Sequence, residues 1–550
     1  MNNQSILMGP ILGLENNTLY SVIFASRQSY KKTELELTCS SNGWQHNGKC
    51  SEVFQLHSIW VYKFVFSVDP IMENVEVNYE IQALGDPIFD QAGSKIWKTV
   101  VPGTESVPKI GFASCNGSGK KLPQFQADAD YVMWERLYKS HTTEGLTHAF
   151  HCLIMGGDQV YADPIWKTIP YFKRHKLLGW HSNRAIINHK ISDDDLPILE
   201  AELEEFYEAL YIESWSKPAV AKTLASIPSI MMWDDHDIFD GWGSQPPELQ
   251  ASELFQLIYK VAKKYFEVFQ IRGADNASRI SADDYTLQLR FRNYEIFALD
   301  NRSHRTNDGV MSQGQFKCLE AYLERDLFQD VPDALQDQRV LLFAIPVPIA
   351  HLNYKERTER VLRWSLPNNF RYSFNDDALD HWDHKNHSGQ QKRLLSFIFS
   401  LADHTSPKYV HIISGDVHSA GAGRIVKESE NDLRIVNEFI SSPIVYKPVG
   451  KILQFLLSRL SDEYSEVEGY KIGVYQFGFD PTKPKTIYQR NFGCFFKKDK
   501  QGLRAYYTYE NNAKDDIPTQ PAEYFRFKDN KVEKYKEKTF TYSDEQQLES

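Results

Sequence analysis

The sequence predicts an α/β domain preceded by an antiparallel β-sandwich, and three observations carry that expectation. The chain has 550 residues, 42% hydrophobic and 13% aromatic, which is enough for a large core and too long for one ordinary domain. From about Leu19 to Val101 short segments alternate or are rich in β-branched and aromatic residues, with Asn, Gly and Pro between them. After VPGTES, near residue 105, the texture changes to apolar strand, loop and amphipathic helix in repetition, the signature of an α/β sheet.

In chain order, LYSVIFAS, ELELTC, IWVYKFVFSV and VEVNYEIQAL read as the strands of a sandwich over residues 1–104. Cys39 and Cys50 flank a turn, SSNGWQHNGK, and could pair in an oxidising compartment, although the six cysteines are too scattered for a disulfide framework. A catalytic domain is expected over 105–510. Its first elements are KIGFAS as strand, Asp128 to Tyr138 as helix and HAFHCLIM as strand. A charged helical insertion over 166–225 is placed above the site, with helices at Glu200 to Tyr211 and Glu253 to Phe269. Strands return from Leu433 to Tyr509 around a helix at Lys451 to Leu460 and a hairpin at KKDKQG, and 511–550 is a charged tail.

Composition excludes several function classes. With 73 acidic against 62 basic residues the net charge is -11, so no overall basic field draws the chain to nucleic acid or anionic membrane. The first 26 residues hold no Lys or Arg and lack the charged start and apolar centre of a secretory signal. The best apolar run, Val340 to Ala350, is short and broken by Pro346 and Pro348, so no membrane span is expected and the reading is cytoplasmic. The oligomeric state is not legible.

Ligands of open α/β sheets sit beyond the carboxyl ends of the strands, and here five apolar runs end in metal-ligand or cationic residues. KIGFAS ends at Cys115-Asn116-Gly117, and HCLIM runs into GGDQVYAD with Asp158 and Tyr161. SIMMW runs into Asp234-Asp235-His236-Asp237, YEIFAL delivers Asp300 to Arg305, and YVHIIS delivers Gly415-Asp416-Val417-His418. Carboxylates this crowded raise one another's pKa unless a cation neutralises them. Taken singly each has a plainer reading: a Gly-Asp turn, aspartates capping a helix, a small buried cysteine, surface arginines, a core histidine. Their joint occurrence at strand ends favours a metal site.

The motifs GFASC, GGDQVYAD, WDDHDIFDGWGS, LDNRSHR and SGDVHSAG, in this order over residues 105 to 450, closely resemble the alkaline phosphatase D (PhoD-like) family of metallophosphoesterases. The resemblance implies a four-layer α/β/β/α sandwich with a bimetal site on its rim. It further implies that Cys115, Asp158, Tyr161 and His418 hold Fe(III), a donor mixture suited to a high-charge ion. Asp158 would bridge to a second site completed by Asp235 and Asp416, whose hard oxygens suit Ca²⁺ or another divalent ion such as Mg²⁺, Mn²⁺ or Zn²⁺. The best-known members are exported, often by a twin-arginine signal, whereas this chain begins without one.

The implied substrate is a small phosphate ester, mono- or diester, attacked by a metal-bound hydroxide or oxo group with the two ions roughly 4 Å apart. His236 is expected to protonate the leaving group or stabilise the oxyanion, and Arg302 and Arg305 to clamp phosphate oxygens. HWDHKNHSG, with His381, His384 and His387, is either a second histidine patch or a solvated helix cap. Two other classes compete. One is a metal-binding scaffold without turnover that contacts a partner through the β-sandwich, which the complete ligand set disfavours. The other is a serine hydrolase, which would need a Gly-x-Ser-x-Gly elbow that the chain lacks.

Overall fold

The structure is a computed structural model. It describes residues 5–518 except 42–43, 70, 144, 178, 180–182, 351–381, 383–385, 430–431, 449–464, 476–483, 499–501 and 512. The expected helix at Lys451 to Leu460, the tip of the KKDKQG hairpin, His381, His384 and nearly all of the 511–550 tail lie outside the described residues.

Two sheets form the α/β body. In the first, Ile110–Ala113, Cys152–Gly156 and Ser229–Met232 run parallel, with Phe112 opposite Ile154 and Met155 opposite Met231. In the second, Tyr294–Ala298, Val340–Ala344 and Tyr409–Ser414 run parallel in matched register, Ala298 beside Ala344 and Ala344 beside Ile413. Period-two side-chain direction explains why all these strands are apolar throughout. Ile296, Ala298, Leu342 and Ala344 face the core shared with the first sheet. Their neighbours Phe297, Leu341 and Phe343 face a second core closed by Leu394, Phe397 and Ile398 of the helix Ser388–Thr405. Helices thus flank two sheets packed face to face: the α/β/β/α sandwich.

The first sheet does not stop at these three strands. Met8–Leu14 pairs in parallel with Ser229–Met232, Gly13 opposite Ser229, and then antiparallel with Leu19–Ser26, which leads on to Trp60–Ser67 and the remaining N-terminal antiparallel strands. At the other edge, Asn491–Lys497 pairs with Ile110–Ala113 and Leu503–Tyr509 follows it. Buried Arg272 pins the N-terminal junction by donating to Ser21 Oγ at 3.2 Å, Ser229 O at 3.0 Å and Gln270 O at 3.0 Å. Gly13 is required there, since a Cβ would lie 2.0 Å from Arg272 Nε.

Several elements differ in extent from the sequence reading. The helix expected at Asp128 to Tyr138 is a 3₁₀ turn, Asp128–Tyr131, followed by an α-helix, Val132–Thr143. The helix begun at Glu253 is α-helical to Phe266 and ends in a π-turn, Glu267–Ile271. The helical segment 166–225 contains a helix longer than expected, Leu196–Trp215, with Pro at its start, where a missing N–H costs nothing. Cys39 lies opposite His46 and Cys50 opposite Phe64, so the two do not face each other and both are free thiols. Among the described residues no helix is long and apolar enough to cross a membrane.

Candidate metal centre

Matched registers bring the carboxyl ends of both sheets' strands to one rim, and the turns that follow carry the expected ligands. Four of them stand in the left-handed backbone region: Cys115 at φ 57°, Asp158 at 56°, Asp416 at 61° and His418 at 49°. Such a conformation costs a non-glycine residue about 1–3 kcal/mol and persists where the surroundings enforce it, most often at functional sites. Gly117 is needed beside them, because a Cβ would approach the Tyr161 ring to 2.5 Å.

The contacts join these residues. Cys115 Sγ lies 3.4 Å from Asp158 Oδ2, the same oxygen that accepts from Tyr161 OH at 3.2 Å, and 3.7 Å from the Asp416 carbonyl. His418 is tied to Cys115 through Ser442, whose Oγ is 2.9 Å from Cys115 Sγ and accepts from His418 N at 3.1 Å. Asp158, Asp235 and His236 offer ligand atoms within 4.8 Å of one another, as do Asp234, Asp235 and Asp416. All six expected ligands therefore meet on one rim, and Asp234 joins them.

The residues fit a pair of cations. Asp158 Oδ1 and His418 Nδ1 are buried without a hydrogen-bond partner, a state that calls for an explanation. Burial, and then the neighbouring negative groups, push the Asp158 carboxyl, the Cys115 thiol and the Tyr161 phenol well above their ordinary ranges. The pocket therefore disfavours the charged form of all three, a cost that a bound cation would offset by taking the place of their protons. Burial, with a smaller push from His236, lowers His418 to about 3, which keeps it in the neutral, ligating form. Thiolate, phenolate, carboxylate and imidazole on one side suit a high-charge transition ion, and the carboxylates Asp235 and Asp416 suit a hard divalent ion.

The acid run of WDDHD divides into three jobs. Asp235 faces the cluster and accepts from Gly241 N at 2.7 Å. Asp234 pairs with Arg302. Asp237 points into the protein, where it accepts from Gln159 N at 3.0 Å, Val160 N at 3.1 Å, Gln270 Nε2 at 2.8 Å and Asp234 N at 2.8 Å. It ties down the very loop that presents Asp158 and Tyr161. The helical segment braces the same loops: Trp215 Nε1 donates to Gln159 O at 3.3 Å and Tyr207 OH to Ile238 O at 2.6 Å.

His236 stacks on Tyr161 with ring centroids 4.3 Å apart, and its Nδ1 is 2.8 Å from Asp163 Oδ1. Burial disfavours its charged form, but Asp163, Asp235 and Asp158 outweigh burial and hold its pKa well above the usual range. Arg302 is placed otherwise than a phosphate clamp requires. Its side chain is 0% exposed, pairs with Asp234, lies 3.7 Å from Asp235 Oδ1 and donates to Trp242 O at 2.9 Å. Arg305 is buried as well, its methylenes lying along Gly243. Of the histidine patch, His387 is buried at the N-terminus of the helix Ser388–Thr405.

Sequence reasoning passed over Asp163, Asp240, Ser442 and Tyr446. The first two stand inside the quoted motifs GGDQVYAD and WDDHDIFDGWGS, and with His236 they form a further group of close ligand atoms. Tyr446 stacks on His418 at 4.0 Å; nothing in SSPIVY marks it.

A two-sheet α/β/β/α sandwich with acidic, histidine and cysteine side chains gathered on its rim defines the metallophosphoesterase class of fold. Within that class the chain is similar to the PhoD-related phosphatases: a family model described as PhoD related phosphatase matches residues 125–359, the group to which the motifs pointed. The solved structure of PhoD superposes with a TM-score of 0.52 at 14% identity, covering 94% of this chain and 93% of that one, a likeness of fold. In Saccharomyces cerevisiae the uncharacterized protein YGR266W is 23% identical over 597 residues, spanning 90% of this chain and 80% of that protein.

Proposed function

We propose that the protein hydrolyses small phosphate esters, mono- or diesters, at a two-cation centre. The observation that carries this reading is the meeting of Cys115, Asp158 and Tyr161 in direct contact beside Asp235 and Asp416, with Asp158 Oδ1 buried and unpartnered. Cys115, Asp158, Tyr161 and His418 would hold iron(III), and Asp158, Asp235 and Asp416 a calcium or other divalent ion. When bound, the two ions supply Lewis-acid polarisation of the phosphoryl group and acidify water.

The chain's own residues do the rest. Asp163 engages Nδ1 of His236, which directs the proton on Nε2 to the departing oxygen. Arg302 holds Asp234 and Asp235 in place from beneath, and Arg305 is the proposed contact for phosphate oxygens. Asp237 keeps the Asp158–Tyr161 loop closed.

Metal analysis of the purified protein, combined with a panel of chromogenic phosphate esters, tests the reading. The expected result is iron plus a divalent ion, a visible absorption band altered in Cys115→Ser or Tyr161→Phe, and turnover lost to a chelator and restored by Ca²⁺, Mg²⁺ or Mn²⁺. Full turnover from a colourless, metal-free protein refutes it.

A further inference from the structure

The segment Ser441–Tyr446 belongs to no motif, yet it is bound to the candidate centre at every step. Ile444 N donates to Ser114 O at 2.9 Å, and the N–H groups of Val445 and Tyr446 both donate to Cys115 O at 3.2 Å. Ser442 Oγ bridges Cys115 Sγ and His418 N. The Tyr446 ring then lies on His418, centroids 4.0 Å apart and planes 10° apart, and on Tyr161 at 5.4 Å and 29°. His418 and Tyr161 come from turns that follow strands of different sheets, and among the described residues the Tyr446 ring stacks on both.

The segment is itself anchored from outside the centre. Arg490 Nε donates to Val445 O at 2.8 Å, and the same guanidinium pairs with Asp130 at 2.8 Å and Glu510 at 3.0 Å. Asn491 Nδ2 donates to Ser442 O at 2.7 Å. Arg490 immediately precedes, and Asn491 begins, the strand Asn491–Lys497, which pairs with Ile110–Ala113, the strand that delivers Cys115.

We infer that Ser441–Tyr446 is a strap that fixes the first ion's ligand set, and that Tyr446 is a positioning residue which locks the ring planes of His418 and Tyr161. The inference rests on the proposed roles of those two residues as ligands. An imidazole and a phenolate hold a metal tightly only if their orientations are set beforehand; residues that orient ligands typically contribute about 10- to 100-fold in metal affinity. A stacked ring does this for two ligands at once, and the guanidinium of Arg490 keeps that ring from lifting away.

The test compares wild type, Tyr446→Ala, Tyr446→Phe, Arg490→Gln and His418→Ala, each loaded with iron(III) and challenged with excess EDTA. Iron per chain is followed over time, and the thermal midpoint of each metal-free form is recorded. Tyr446→Ala is expected to release iron about 10- to 100-fold faster than wild type, Tyr446→Phe at the wild-type rate and Arg490→Gln in between, with metal-free midpoints unchanged. Release from Tyr446→Ala at the wild-type rate overturns the inference, and so does fast release from Tyr446→Phe, since that would assign the effect to the hydroxyl. Should Tyr446→Ala fail to fold, wild-type release from Arg490→Gln overturns it. A wild type holding no iron that His418→Ala lowers would refute the metal reading itself, and the strap with it.

Discussion

Asp237 offers a sharp test because one carboxylate serves four donors through two distinct oxygens. Oδ1 accepts from Gln159 N, Val160 N and Gln270 Nε2, whereas Oδ2 accepts from Asp234 N alone. Asp237→Asn keeps an oxygen for the first three; Asp237→Ala keeps none. Neither variant carries charge, so the contrast between them is free of the cost that burial imposes on the carboxylate, which raises its pKa to about 7. Three buried bonds at about 1 kcal/mol each favour Asn by about 3 kcal/mol, and the Asn amide facing Asp234 N–H takes back about 1, leaving about 2 kcal/mol. That difference is about 30-fold in a local opening equilibrium. Native-state hydrogen exchange of a peptide covering Gln159 and Val160 reads it directly. The expected result is exchange about 30-fold faster in Asp237→Ala than in Asp237→Asn, with poorer metal retention in the former. Equal exchange in the two variants would refute the assignment of Asp237 as the tie of the ligand loop.

Arg302→Met should leave Asp234 and Asp235 without their buried cation and destabilise the protein by about 3–5 kcal/mol; an unchanged melting temperature would return Arg302 to a substrate-contact role. His236→Ala should slow alkyl phosphate esters far more than nitrophenyl esters, whose leaving group needs no proton, by up to about 10²–10⁴, with metal content unchanged; equal slowing of both substrate types counts against proton donation. Burial raises Glu438 to about 7 from 4.5 despite the N–H groups of Ala350 and Ile349 and the Ser414 hydroxyl that it accepts from. As pH rises from 4.5 the unfolded chain loses this proton first, so stability should fall towards pH 7 by on the order of 3 kcal/mol. Glu438→Gln should flatten that slope in urea titrations; a slope identical to wild type would show that Glu438 ionises normally.

The strand-end ligands were readable because each follows an uninterrupted apolar run, and a run buried on both faces can end only at the sheet's rim. The left-handed turns that aim Cys115, Asp158, Asp416 and His418 were not readable, since none of those four positions is itself a glycine. Within WDDHD the three aspartates look alike in sequence. What separates Asp237 from Asp235 is the arrival of donors from residues 159, 160 and 270. Arg302 reads as half of a phosphate clamp until Asp234, 68 residues earlier, is set against it. Met8–Leu14 escaped notice because Gly9, Pro10 and Gly13 break the β-branched pattern; Gly9 passes close to Phe24 and Gly13 close to Arg272.

The parallel pairing of Met8–Leu14 with Ser229–Met232 has a consequence in time. Ser229 Oγ donates to Leu12 O across 217 residues of chain, so during synthesis the first strand leaves the ribosome long before its partner exists. Its unpaired edge must wait, joined only to Leu19–Ser26, while the whole helical segment is made. A ribosome stalled before residue 229 would therefore hold a nascent chain whose N-terminal strands are hydrogen-bonded among themselves and open along one side. That edge closes only when Ser229–Met232 arrives, immediately ahead of WDDHD.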